Sequence, residues 1–329
     1  MVEIVRTSKE DIQKYYDSPA LNQSKLKKLQ YGLDYYLKED EDNKADYFVI
    51  GSALDCLSTH PEDFNDEFIV LDIEEPGDVV KTIITEIYKQ RKDLNVDWTL
   101  QQFKGSIETI IEMNGYFNPK WKMETKVNKV FEDGEKYYES LILSEGKTII
   151  SAKNNELIQT MYNAIQNTSA CFPFCREENY PANHVLKIEF QKPVYFEYKG
   201  IQCKALLDAY VETKTSDPLI FDLKTTSKRV LDFPESFFKF GYDMQLAWYQ
   251  LSIGKPCKCY NVVESTSQPG QPCCYNISKE IVSDGTMKID KLIDDILYYN
   301  EHGYDVERRI RENSNYLSIT KEDAEKFSD

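Results

Sequence analysis

Histidine is scarce in this sequence, with only His60, His184 and His302 among 329 residues. Ser-His-Asp hydrolysis needs an imidazole beside an activated serine, and none of the three neighbours a G-x-S-x-G turn, so that chemistry has no support. Phosphate-cradling loops are missing too. Neither G-x-x-x-x-G-K-[ST] nor a convincing G-x-G-x-x-G occurs, which argues against a nucleotide-binding enzyme. No run approaches eighteen consecutive apolar residues and the opening MVEIVRTSKEDIQ is not leader-like, so the chain reads as soluble, without membrane contact, and cytoplasmic. The eight cysteines form no repeated C-x-x-C: Cys171 and Cys175 are C-x-x-x-C, Cys257 and Cys259 are C-x-C, and Cys273 and Cys274 are adjacent. Reduced thiols are therefore expected, without a zinc ribbon, and an iron-sulfur set of Cys56, Cys257, Cys259 and Cys273 has the wrong spacing. An excess of positive charge is also absent. With 40 basic against 56 acidic residues the net charge is -16, which excludes coating nucleic acid by overall attraction. A nucleic-acid enzyme of this charge must gather its lysines locally, or use carboxylates to hold divalent cations where phosphate approaches.

What is present is a chain long enough for one large domain or two small ones, with 41% hydrophobic residues to fill a core. Asn22 or Ser24 can cap a helix through SKLKKLQYGLDYYLK, in which Leu26, Leu29, Leu33 and Tyr36 share a face and Lys25, Lys27 and Lys28 give a basic opening turn. These lysines are candidates for phosphate contact. An acidic loop, KEDEDNKAD, precedes an apolar helix, YFVIGSALDCLST, that Pro61 should end. Residues 80 to 125 read as helical and charged, without a chemical motif. A short strand in GKTIIS and a helix bearing Leu157, Ile158, Met161, Tyr162 and Ile165 follow. From about residue 184 the texture changes to three or four consecutive strands with turns at Lys199-Gly200 and Ser216-Asp217-Pro218. Beyond them lie a helix in ESFFKFGYDMQLAWYQLSI, a strand in CKCYNVVEST, and a closing helix over 285–312. The division expected is an N-terminal helical region over 1–140, a core over 141–285, and a C-terminal helix and tail over 286–329.

Chemistry concentrates in IFDLK. Alternate strand side chains share a face, so Ile220, Asp222 and Lys224 should point one way while Phe221 and Leu223 enter the core. The preceding strand, IQCKALLDAY, should end with Asp208 after a buried run, and a return through Ser216-Asp217-Pro218 would bring the two carboxylates together across the ladder. Two like charges at that distance repel unless a cation lies between them. Mg²⁺ answers the repulsion with hard oxygen ligands, and would polarise a phosphoryl group beside Lys224. Gln245 and Tyr249 lie four residues apart on one helical face. Thr225, Thr226, Lys228 and Arg229, directly after the lysine, could grip a nucleic-acid backbone.

In motif order these residues resemble the PD-(D/E)XK nuclease superfamily, and within it the phage recombination exonucleases similar to exonuclease VIII (RecE-like) and, more distantly, lambda exonuclease. CKALLD, ending at Asp208, is similar to the first acidic motif, FDLKTT to the second acidic residue and lysine, and YDMQLAWYQ to the RecB-type Q-x-x-x-Y helix. LNQSKLKKL resembles the opening helix, and GSALDCL the G-[ST]-A-x-H segment, with Asp55 where the family has histidine and His60 five residues on. The resemblance covers roughly residues 20 to 60 and 145 to 265. It implies an α/β, restriction-endonuclease-like core with a mixed central sheet flanked by helices, plus an N-terminal helical region. It also implies Asp208, Asp222, Lys224, Gln245 and Tyr249 as catalytic residues. Asp55, Glu189, Asp208, Asp222 and the Leu223 carbonyl would hold Mg²⁺ or Mn²⁺, as two ions, with Glu197 as a weaker candidate. Ser24, Lys25, Lys28, Thr225, Thr226, Lys228 and Arg229 would contact DNA. The activity implied is digestion of one strand from double-stranded DNA ends, alongside a single-strand annealing protein and in a homo-oligomer. The alternative class is an inactive nuclease-fold module that binds DNA or a protein, against which the intact Asp208, Asp222 and Lys224 set argues.

Overall fold

A computed structural model describes residues 2–38, 46–72, 75–181, 183–214 and 216–303. Most of the acidic loop and the expected tail after residue 303 lie outside the described residues. Packing divides the chain into two compact units, one drawn from Met1–Asp42 and Thr168–Asp329, the other from Asn43–Asn167.

The first unit opens with β1 (Glu3–Arg6), α1 (Lys9–Asp17), α2 (Gln23–Lys28) and α3 (Leu33–Leu37). Asn22 caps α2 as its sequence suggests, its side-chain oxygen accepting from the Lys25 N–H at 2.8 Å. The single helix expected through SKLKKLQYGLDYYLK, ending at Lys38, is, however, broken. Gly32 takes φ 117°, which no helix tolerates, and a 3₁₀ turn over Leu29–Tyr31 leads into it. Leu26, Leu29 and Leu33 remain buried across the break, so burial of the apolar face outweighs helical continuity.

The second unit contains α4 (Asp46–Thr59), α5 (Phe64–Glu67), β2 (Phe68–Val70), α6 (Asp78–Leu94), α7 (Lys104–Asn114), α8 (Met123–Ser144), β3 (Thr148–Ile150) and α9 (Ala152–Asn167). Helix α4 stops just before Pro61, as expected. Ile83, Ile84 and Ile87 of α6 pack with Phe103, Ile107 and Tyr138 in a core of its own, and Gly134 lets α8 approach the Ile84 side chain. β2 and β3 pair in parallel.

The chain then returns to the first unit with β4 (Val185–Tyr198), β5 (Ile201–Thr213), β6 (Leu219–Thr226), α10 (Phe233–Lys239), α11 (Tyr242–Ile253), β7 (Lys258–Ser265), β8 (Cys273–Ile277) and α12 (Lys279–His302). The six-stranded sheet runs β1-β4-β5-β6-β7-β8. β1 pairs with β4 and β6 with β7 in parallel, while β4–β5, β5–β6 and β7–β8 are antiparallel, so the mixed sheet expected is the one formed. The parallel β6–β7 pair needs a crossover, which α10 and α11 supply. Among the described residues, no helix is long and apolar enough to cross a membrane.

Helix α11 lies in the main core, with Met244, Leu246, Ala247 and Trp248 buried together with Ile289 and Ile293 of α12. The Trp248 indole N–H donates to the Lys204 carbonyl on β5 at 2.9 Å, anchoring the helix to the sheet. Gly285 permits the close approach of α12: a Cβ there would stand 2.4 Å from the Asp243 carbonyl oxygen and 3.0 Å from the Ala247 Cβ. Because backbone cannot yield as a flexible side chain does, Gly285→Ala should lose more from overpacking, about 3 kcal/mol, than the roughly 1 kcal/mol it gains in helix propensity. A net loss of about 2 kcal/mol is expected in urea denaturation, and an unchanged or raised midpoint would contradict the packing described.

Candidate active site

Strands β5 and β6 pair only from Val211↔Leu219 to Ala209↔Phe221, although β6 continues to Thr226. Past that point its backbone loses β5 as a partner on that edge. The Asp208 carboxylate takes over as acceptor, receiving the Leu223 N–H at 2.9 Å. Asp208 and Asp222 thus sit where the two strands part, on adjoining strands, but β5 runs on to Thr213 instead of ending at Asp208, because the residues after Asp208 are the ones that pair with β6. On the opposite edge β6 stays paired with β7 along its whole length, with Asp222 in register with Asn261 and Lys224 with Val263.

One expectation needs correction. Neither side of IFDLK is open: Ile220 belongs to the core beneath α11, while Phe221 stacks on Tyr260 at 4.8 Å and meets Phe172 edge-on at 5.5 Å. Both faces of this strand are covered, as is usual where a βαβ crossover lies over a sheet. Asp222 is consequently 0% exposed. Its Oδ2 accepts from the Asn261 Nδ2 at 2.8 Å and from the Lys224 ammonium at 2.6 Å, whereas Oδ1 is buried without a hydrogen-bond donor.

Lys224 also lies 5.2 Å from the Tyr242 ring centroid and 3.5 Å from the Leu223 carbonyl. Burial alone would lower the pKa of its ammonium, but the Asp222 and Asp208 carboxylates outweigh burial and hold it well above the usual lysine value. It is a fixed cation at any ordinary pH. On α11 the Gln245 amide donates to the Tyr249 hydroxyl at 2.7 Å, so the two share the helical face that their spacing suggests and are bonded to each other. Burial, reinforced by Asp222 and Asp208, raises the Tyr249 phenol well above its ordinary pKa against the Gln245 hydrogen bond. Tyr249 therefore stays protonated and keeps its O–H as a donor near the two carboxylates.

The remaining candidates distribute differently. Glu189 on β4 is engaged by Lys192 at 2.8 Å and Lys187 at 3.4 Å, and Glu197 accepts from Gln202. Among the described residues no group of three or more His, Cys, Asp or Glu side chains converges to hold an ion, so Glu189, Asp208 and Asp222 are not gathered into a three-carboxylate cage. The physical reason is that two lysines already neutralise Glu189. Asp55 lies half-buried on α4 in the second unit, and His60, 6% exposed, directly follows the end of that helix. Lys228 and Arg229 are exposed but paired with Glu235 and Asp232, while the buried Thr226 hydroxyl accepts from the Lys228 N–H in the turn. Thr225 is half-buried opposite Glu264. On α2, Ser24 is exposed, Lys25 lies over the Tyr36 ring, and Lys28 donates to the Lys38 carbonyl.

Sequence reasoning passed over Asn261 and Tyr242, and did not separate Lys27 from its neighbours. Lys27 is half-buried, and its ammonium donates to the Phe240 carbonyl at 2.5 Å, two residues before the ring that carries Lys224. Burial and the charge of Lys224 lower its pKa, against the pull of Asp243. Two ammonium groups from α2 and β6 thus approach the same segment. A signal for Asn261 did exist: one amide in the apolar run CKCYNVVE is a buried polar group that must have a partner.

Residues 24–308 match the family described as a PDDEXK-like domain of unknown function (DUF3799), and the chain belongs to that family. Its nuclease-type fold is thereby established, and with it the α/β class read from the sequence. No curated protein matches the chain. Among solved structures the chain is similar to a Eubacterium rectale protein described as a "Putative exonuclease", at 12% identity over 98% of both chains with a TM-score of 0.47. It is also similar to SSO0001, at 11% identity over 66% of this chain and 87% of that one, with a TM-score of 0.23. At these values neither structure bears on activity.

The donors around Asp222 fit a hard divalent cation. A fully buried carboxylate oxygen without a donor, with Asp208 on the adjoining strand and the Leu223 carbonyl beside it, offers oxygen atoms alone. Removing the ammonium should expose the cost of this arrangement: Lys224→Met leaves Asp222 with one neutral donor and should destabilise the fold by about 3 kcal/mol. Asp222→Asn with Lys224→Met should recover much of that loss, because the buried charge is gone. Urea denaturation in the absence of divalent cations measures both, and a Lys224→Met protein as stable as wild type would overturn the description of the pair.

Proposed function

We propose that the chain is a DNA nuclease dependent on a divalent cation, hydrolysing phosphodiester bonds at the point where β5 and β6 part. The observation that carries the reading is the buried Asp222, tied through Oδ2 to Lys224 and Asn261 while Oδ1 lacks a donor. Asp222, Asp208 and the Leu223 carbonyl would hold Mg²⁺ or Mn²⁺, which when bound supplies Lewis-acid stabilisation of the phosphoryl group and a more acidic water. Lys224 brings a permanent positive charge and N–H donors to a nearly dry site, where they favour the extra negative charge of the transition state. Gln245 and the protonated Tyr249 add two neutral donors along the same helix face. Lys27 provides a second cation for a neighbouring phosphate.

The motif order similar to RecE-like exonucleases extends the proposal to resection of one strand from duplex ends, with a second ion, a homo-oligomer and a single-strand annealing partner. These finer terms rest on that resemblance alone.

Cleavage of end-labelled linear DNA with Mg²⁺ tests the reading. Asp222→Asn and Lys224→Ala should each lower the rate by at least about 100-fold, the scale of losing one preorganised electrostatic group, while EDTA abolishes cutting. Retained activity in both variants would defeat the assignment, and DNA binding without cutting in wild type would favour an inactive module. Circular DNA left intact would support the requirement for an end. In the Asp222→Asn background, Lys27→Ala should flatten the plot of log affinity against log salt by about 0.9 on duplex DNA. An unchanged slope would remove Lys27 from the phosphate path.

A further inference from the structure

Asn261 does not belong to the motif through which the sequence resembles its relatives, yet it occupies a defined place beside the proposed centre. It is 0% exposed and stands in register with Asp222 across the parallel β6–β7 pair, so both backbones are fixed by the ladder and the two side chains share a face. Its Nδ2 donates to Asp222 Oδ2 at 2.8 Å, the same oxygen that takes the Lys224 ammonium at 2.6 Å. Two donors from different strands therefore converge on one carboxylate oxygen, and the other, Oδ1, is left buried without a hydrogen-bond donor.

We infer that Asn261 is a positioning residue for Asp222, and that by tying down Oδ2 together with Lys224 it leaves Oδ1 as the atom offered to a divalent cation. This rests on the reading of Asp222 as a metal-holding carboxylate. Lys224 alone cannot fix the orientation, because a flexible ammonium follows a rotating carboxylate. An amide in register on a paired strand cannot follow, since its reach is short and its backbone is held. A neutral donor is also the suitable partner. A second carboxylate at residue 261 would repel Asp222, whereas another ammonium would cancel the charge that draws the cation. Hydrogen bonds that orient a ligating group commonly govern metal affinity as strongly as this.

Mn²⁺ titration by isothermal calorimetry on the full chain without DNA, well below the melting temperature, tests the inference independently of cleavage. Asn261→Leu, of similar size but without a donor, and Asn261→Ser, too short to reach Oδ2, should each weaken Mn²⁺ binding by about 10–100-fold. Both should keep the wild-type circular dichroism spectrum, and a broadened Mn²⁺ electron paramagnetic resonance line should report the freed carboxylate. Should Asn261→Leu fold poorly, Asn261→Ser decides the matter. Asp222→Asn sets the reference. If it loses binding while both Asn261 variants stay within about twofold of wild type, the role of Asn261 is overturned and the metal reading stands. If wild type binds no Mn²⁺, or Asp222→Asn binds as wild type does, the metal reading itself has failed and the role of Asn261 falls with it.

Discussion

A carboxylate removed from water is the constraint around which the first unit is arranged. Asp222 sits mid-strand, covered on both faces of the sheet, where an isolated charge would cost several kcal/mol even after relaxation. Its neighbours offset this burial only in part. Lys224 supplies the opposite charge and Asn261 a neutral donor, but both address the same oxygen. Replacing such a pair by apolar residues is often neutral or stabilising, so stability alone gives little reason for the sequence to hold it. A half-satisfied polar group in a well-packed core points to a ligand that completes it.

The position of this group follows from sheet topology. A strand flanked by partners on both edges satisfies its backbone and leaves no opening, whereas β6 keeps β7 for its whole length and β5 for only three pairs. At the divergence one backbone N–H needs a new acceptor, and the Asp208 side chain is that acceptor. A single event, the parting of two strands, thus ties the Asp208 carboxylate to the backbone one residue beyond Asp222. Gln191 of β4, which the register Phe190↔Ala209 and Lys192↔Leu207 places across from Asp208, takes φ 48°, a left-handed conformation uncommon for a side-chain-bearing residue. Helix α11 then closes the space from above, held to β5 by Trp248 and to α12 across Gly285.

How much of this was legible in the sequence depended on whether the information was local. The strands of 184–226, a helix cap at Asn22 or Ser24 and the shared helical face of Gln245 and Tyr249 follow from short-range patterns, and the structure has the strands, the cap at Asn22 and the shared face. Alternation within IFDLK was misleading because it assumes one wet face, whereas Phe221, beside its sheet neighbour Tyr260, is covered by Phe172 from a remote segment. Asn261 depended on register between strands nearly forty residues apart, which no spacing rule reports. The neutralisation of Glu189 by Lys187 and Lys192 could have been suspected from proximity alone, since all three lie within six residues. The divisions expected at residues 140 and 285 take the chain in order, whereas packing groups the first forty-two residues with the sheet that begins far downstream.

The net charge of -16 leaves a difficulty for any nucleic-acid enzyme, and the distribution of ion pairs shows how it can be met. Lys228 and Arg229 look basic in the sequence but are balanced on the surface by Glu235 and Asp232, so their field at a distance is small. Lys27 ends on a carbonyl instead of a carboxylate, and Lys224 shares a nearly dry site with Asp222. Partly buried charges are screened less by salt than exposed ones, so two lysines there can outweigh several on the surface in their effect on a nearby phosphate. Burial first, and the charge of Lys224 second, lower the pKa of Lys27, and an anion brought beside the two ammonium groups would offset both costs. Positive charge not balanced by a surface carboxylate is thus concentrated where Lys27 and Lys224 approach the Phe240–Tyr242 segment, within a chain whose net charge is negative.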